Sequence, residues 1–204
     1  MLNNLRLIGT THLTPSSEIE RIIKLEKPDL IGIELCQTRV NVLILNPPIQ
    51  EQKEDTSLIG KISKAIKNKA KEQKLNYGSD MISAYKLAEQ YKIPSFLVDR
   101  DIIEIKNLLE KIPQNEMIGF MKEIAEFESK QNIEEELKNI NEEEVLNKLK
   151  TNYPVSYELL IVSRELYITN QILKQLINNP NKKILVFLGK GHIKGINKLL
   201  GFNI

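Results

Sequence analysis

Tryptophan is absent from the 204 residues, and the aromatic residues together make up only 5%. The base-stacking platforms of single-stranded nucleic-acid binders are therefore not expected. Cysteine is nearly missing: Cys36 stands alone, so no internal disulfide can form, which suits a reducing compartment. No apolar run approaches the roughly 20 residues that cross a bilayer. The N-terminus enters a strand almost at once and lacks the basic start and apolar stretch of a signal peptide. A cytoplasmic chain without a transmembrane segment is expected. An excess of one charge is missing as well, the formal net charge being +2 with a pI near 8.4. That balance alone argues neither way on nucleic acid; with so few aromatics, nucleic acid is not an expected partner. What is present is 41% hydrophobic residues, enough for a core of ordinary size. The length suits one domain over 1–204, with room for an inserted helical part.

Along the chain, apolar strands alternate with helical patterns. Leu5-Arg6-Leu7-Ile8-Gly9 is a short buried-strand run closed by glycine. A helix follows, with Pro15 and Ser16 at its start, Ser17 and Glu20 at capping-box spacing, and Ile19, Ile22 and Ile23 on its apolar face. Lys27-Pro28-Asp29 ends it. Residues 30–35 read as a second strand, and a short helix from about Thr38 carries Arg39. A lysine-rich amphipathic helix is expected over 58–74. It packs on the core or lies on an anionic membrane as a peripheral contact. Residues 80–91 read as a helix, and 95–99 as a third strand ending in acid. The charged stretch 101–151 is expected to be an inserted helical subdomain, either a lid or a plain solvated hairpin. Pro154 opens a long helix to about Asn178 with Leu159, Leu160, Leu166, Ile172, Leu173 and Leu176 at helical spacing. Residues 183–189 form a fourth strand, and 193–200 a last helix. This alternation implies an α/β fold with a largely parallel or mixed central sheet and helices on both faces.

The chemistry-bearing residues fall at strand ends, where open α/β sheets bind ligands. The first strand runs into Gly9-Thr10-Thr11-His12 and the fourth into Gly189-Lys190-Gly191-His192. Both are an apolar strand, then Gly-x-x-His, then a helix, and they hold the only two histidines. Each histidine is either a site residue or a local capping group. Glu34 lies in an otherwise apolar strand, and a buried carboxylate needs a metal or a cation such as Arg39, Arg100 or Arg164. Asp99 and Arg100 close the third strand; they serve a site, pair with each other, or cap the next helix. Arg164 sits in an apolar helical stretch, facing either a buried partner or solvent. Cys36 reads as an inert buried thiol. Gly189-Lys190-Gly191 is only a fragment of a phosphate loop.

These residues resemble the TraB/PrgY pheromone-shutdown family, which belongs to a wider group with Tiki-type proteases, erythromycin esterases and ChaN-like haem proteins. Both Gly-x-x-His segments carry the likeness. So do Glu34-Leu35-Cys36 with Arg39, and Gly78-Ser79-Asp80-Met81, where Asp80 replaces the usual glutamate. Asp99-Arg100-Asp101 and Ser163-Arg164-Glu165-Leu166-Tyr167 complete the series. Many members continue into a membrane-spanning region, and this chain stops before one. The resemblance implies an erythromycin-esterase/ChaN-like sheet and a site on His12, Glu34 and His192, with Arg100 and Arg164 in catalysis. Arg39, Asp80 and Asp99 would then contact substrate.

The activity expected from this set is hydrolysis of a peptide or a small ester or amide, such as inactivation of a peptide pheromone. Two histidines and one glutamate make three ligands for a divalent metal (Mn, Co, Zn or Fe), with a position left for water. In a metal-free version His12 is the general base and Glu34 orients it. The rival is a non-catalytic regulator that sequesters a peptide, metal or haem. The expected partners are a peptide or small-molecule substrate and a second copy of the chain in a homo-oligomer.

Overall fold

The structure, a computed structural model, describes residues 3–11, 14–43, 79–128 and 141–202. The lysine-rich helix expected over 58–74 and the acidic run Glu134-Glu135-Glu136 lie outside these residues, as does His12.

The described elements run in chain order as β1 (Leu5–Thr10), α1 (Ser16–Glu26), β2 (Leu30–Ile33), α2 (Gln37–Leu43), α3 (Ser79–Gln90), β3 (Ser95–Leu97), α4 (Ile102–Leu109), α5 (Gln114–Glu128), α6 (Glu142–Asn152), α7 (Pro154–Tyr157), α8 (Ser163–Asn178), β4 (Ile184–Gly189) and α9 (Lys190–Leu199). The fold is α/β, as expected. The sheet is wholly parallel among the described strands, in the order β1-β4-β2-β3. The last strand in sequence thus lies between the first two. Thr10 of β1 stands opposite Gly189 of β4, so the two strands end side by side at the same edge of the sheet.

A period of two along β4 divides the core. Leu185 and Phe187 point to one face, where Ile19 and Ile23 of α1 and Met81, Ala84 and Ala88 of α3 cover them. Ile184, Val186 and Leu188 point to the other, under Ile168, Ile172 and Leu176 of α8 and Ile196 of α9. Each valine, leucine, isoleucine, phenylalanine or methionine so buried contributes roughly 1.5–3 kcal/mol relative to exposure. The result is three layers, helix on sheet on helix.

Three local expectations change. The capping box at Ser17 and Glu20 does not form. Helix α1 begins at Ser16 behind an extended Pro15 that makes no side-chain cap, and Glu20 instead pairs with Lys24 at 2.8 Å and accepts from the Tyr91 hydroxyl. The last helix begins at Lys190 rather than Ile193, so His192 lies in its first turn. The long helix from Pro154 is interrupted by a π turn over Glu158–Val162. One extra residue in such a turn rotates everything after it by about 100° relative to an unbroken helix. Leu166, expected inward, is therefore 45% exposed, while Glu165, Ile168, Thr169 and Ile172 form the buried face.

The stretch 101–151 is helical where described. Helix α4 starts on Asp101, whose carboxylate accepts from the Ile103 N–H at 3.0 Å. Buried Glu116 of α5 caps α7, accepting from the Val155 and Ser156 N–H groups at 3.1 and 2.8 Å. Lys194 of α9 reaches Glu143 of α6 at 3.0 Å, tying this stretch to the last helix. No helix among the described residues is long and apolar enough to cross a membrane.

Candidate functional site

Backbone pairing continues past the strands and brings two carboxylates to the carboxyl edge of the sheet. Glu34 follows β2 directly, and its N–H still pairs with the Phe187 carbonyl at 3.1 Å. The Asp99 N–H pairs with the Leu35 carbonyl at 3.2 Å. Both carboxylates are buried, Glu34 at 3% and Asp99 at 4% exposure. From the layer above, Arg164 reaches both. Its Nε donates to Asp99 Oδ1 and its Nη2 to Asp99 Oδ2, each at 2.7 Å, a side-on bidentate pair. Nη2 also donates to Glu34 Oε1 at 2.7 Å, and Nη1 lies 3.3 Å from His192 Nε2. The other oxygen of Glu34 accepts from the Gly189 N–H, at the entry to α9, where the helix dipole favours a negative charge. That bond occupies the Gly189 amide of the Gly189-Lys190-Gly191 segment.

The π turn presents this arginine. Immediately before it, Ser163 donates its N–H back to the Glu158 carbonyl, five residues away, and Arg164 then opens the next turn. Burial alone would lower the Arg164 pKa, but the Asp99 hydrogen bonds and the charges of Glu34 and Asp99 outweigh it and raise it above the ordinary arginine value. Burial likewise pushes the Asp99 pKa upward. Hydrogen bonds and charge from Arg164, then the charge of Arg39, overcome this and hold it below the usual aspartate value.

The remaining expected residues divide. Arg39, partly exposed on α2, touches Asp99 Oδ2 at 3.3 Å and borders the cluster. Asp99 itself is wrapped by Arg164, Arg39 and the Arg100 N–H. Its carboxylate is fully engaged by these groups and buried. The Arg100 side chain turns elsewhere: it stacks on Tyr167 at 4.7 Å from the ring centre and contacts Ser163 and Glu104. Asp80 has no exposed surface and accepts from the Thr10 hydroxyl, anchoring α3 to the end of β1. Cys36 is buried, as expected.

Glu165 was not expected in the site, yet its Oε1 lies 3.4 Å from His192 Nδ1. An acid in phase with Ile168, Ile172 and Leu176 was the available signal. It is visible only once the π turn sets the phase.

Of the expected metal ligands, His12 lies outside the described residues. Glu34 Oε1 and His192 Nε2 are 3.9 Å apart, a spacing one ion can bridge with bonds of about 2 Å. The Arg164 guanidinium already contacts both atoms, however, at 2.7 and 3.3 Å. A second cation in that space would face strong repulsion, so this arrangement of Glu34 and His192 does not fit a bound metal ion.

An α/β protein with a buried acid–arginine–histidine cluster beyond the carboxyl ends of a parallel sheet is the class these features define. Residues 3–201 match the TraB/PrgY/gumN family, and the chain belongs to it. In an alignment of 213 positions that covers 95% of the chain, it is also 30% identical to the uncharacterized protein MJ1365 of Methanocaldococcus jannaschii. The match covers 52% of that relative, so the chain spans about half the length of the curated protein it resembles.

Proposed function

We propose that the chain hydrolyses a peptide or a small ester or amide at the carboxyl edge of its sheet, a peptide pheromone being one substrate of that class. The observation carrying this reading is the contact of Arg164 with both Glu34 and His192. A guanidinium has five N–H donors. Three of Arg164's go to Asp99 and Glu34 and one meets His192, leaving one on Nη1 uncommitted among the described contacts. With the partly exposed Arg39, that donor suits a substrate carboxylate or a developing oxyanion.

Water attacks the carbonyl carbon, an imidazole takes the water's proton, and the same proton passes to the departing nitrogen or oxygen. His192 is the imidazole beside the arginine, and His12 is the second candidate for that role. Glu34 keeps Arg164 in place. No step requires a metal, so chelator is expected to leave turnover unchanged; loss of activity on chelation, restored by Mn, Co, Zn or Fe, would reverse this. In an assay on short peptides and aryl esters, His192→Ala should lower kcat/KM by about 100-fold or more. Full turnover by both His192→Ala and His12→Ala sinks the reading.

Glu34, Asp99 and Arg164 satisfy one another, which also suits a pocket that holds a peptide without turnover. Saturation at a fixed stoichiometry, without product, would favour that sequestering role.

A further inference from the structure

His192 and Gly195 lie one turn apart on α9, and both face Glu165 of α8. His192 Nδ1 is 3.4 Å from Glu165 Oε1. A Cβ placed on Gly195 would stand 2.0 Å from Glu165 Oε2 and 2.3 Å from its Cδ. The carboxylate therefore occupies the space that any side chain at 195 would need, and glycine alone admits it. Glu165 and His192 are both buried, each at 7% exposure. On the opposite edge of the ring, Nε2 faces Arg164 Nη1 at 3.3 Å.

The two neighbours make the same demand on the imidazole. A carboxylate only accepts hydrogen bonds, so the nitrogen facing it carries the hydrogen; a guanidinium only donates, so the nitrogen facing it is bare. We propose that Glu165, seated against Gly195, is a positioning residue that fixes His192 as its Nδ1–H tautomer and turns the basic Nε2 toward Arg164 and Glu34. The hydrogen bond at one ring nitrogen decides which proton the other keeps, and carboxylate–histidine pairs hold the ring's orientation in the same way. Only the consequence for turnover rests on the hydrolase reading; the tautomer does not.

Long-range ¹H–¹⁵N NMR of the whole chain at neutral pH reads the tautomer directly. With only two histidines present, His12→Ala assigns the signals. In the unaltered chain His192 should show a protonated Nδ1 and a bare Nε2. Glu165→Ala should lower the ratio of the Nδ1–H to the Nε2–H form about tenfold, the effect of one charge-assisted hydrogen bond. Gly195→Ala, which displaces the carboxylate without removing it, should move the ratio the same way. A hydrogen on Nε2 in the unaltered chain overturns the proposal whether or not the variants fold. An unchanged ratio in folded Glu165→Ala also overturns it, by assigning the lock to Arg164 alone. The expected tautomers in a protein that turns over no peptide or ester would leave the positioning role standing and sink the hydrolase reading.

Discussion

Acids and bases pair at both ends of the sheet, but in different surroundings. At the amino end, Arg6 and Lys183 reach the two oxygens of Glu26 at 2.9 and 3.0 Å, and their side chains are 60% and 45% exposed. Water and salt compete with those contacts, and pairs of this kind are worth roughly 0–1 kcal/mol. At the carboxyl end, the side chains that Arg164 holds are 3% and 0% exposed. There the attraction is stronger and so is the cost of taking charge out of water, so the cluster adds little net stability as a pair. Its effect is on geometry: neither carboxylate can turn away without being left charged and dry. The same chemistry fastens chain segments at one end and fixes the positions of functional groups at the other.

The sharpest way to break this comparison is Arg164→Met. It leaves Glu34 and Asp99 buried without their cation and should cost about 3–5 kcal/mol in urea unfolding. Arg164→Lys should rescue little, because an ammonium cannot make the side-on fork to Asp99. Acid should come next. The Asp99 pKa in the folded protein lies below its ordinary value of 3.8, so its contribution is fully present above that value and is lost as pH falls through the folded pKa. In Asp99→Asn the drop in the urea midpoint between pH 5 and pH 2 should be shallower. The smallest effect belongs to the amino end: Glu26→Gln weakens two pairs whose cations are exposed and should cost no more than about 1 kcal/mol. Adding 1 M salt to the unaltered chain should shrink the cost of Glu26→Gln and leave that of Arg164→Met nearly unchanged. An Arg164→Met protein less destabilised than Glu26→Gln would dissolve the contrast.

Local pattern was enough for much of this architecture. The apolar runs ending in Gly9 and Gly189 are legible as buried strands, and the strand-end rule places Glu34 and His192 on one edge, where they come within 3.9 Å. Strand order is different. That β4 lies between β1 and β2 depends on long-range packing that no local window carries. The partner of His192 is hidden for another reason: the π turn breaks the helical phase, and a wheel drawn through 154–178 puts Leu166 inside and leaves Glu165 unremarked. Arg100 shows the limit of proximity in sequence. It adjoins Asp99, yet its side chain leaves the cluster for Tyr167.

The position of β4 also has a consequence in time. Ile184 pairs with Leu5 on one side and with Leu30 on the other, so the middle of the sheet is the last of the described strands to leave the ribosome. Until then β1 and β2 have no strand between them, and neither the Gly189 amide nor His192 is present beside Glu34. Contacts so distant in sequence slow folding, and a nascent chain halted before β4 would display β1 and β2 as open strand edges. The polar cluster therefore assembles only once β4 has been placed between β1 and β2.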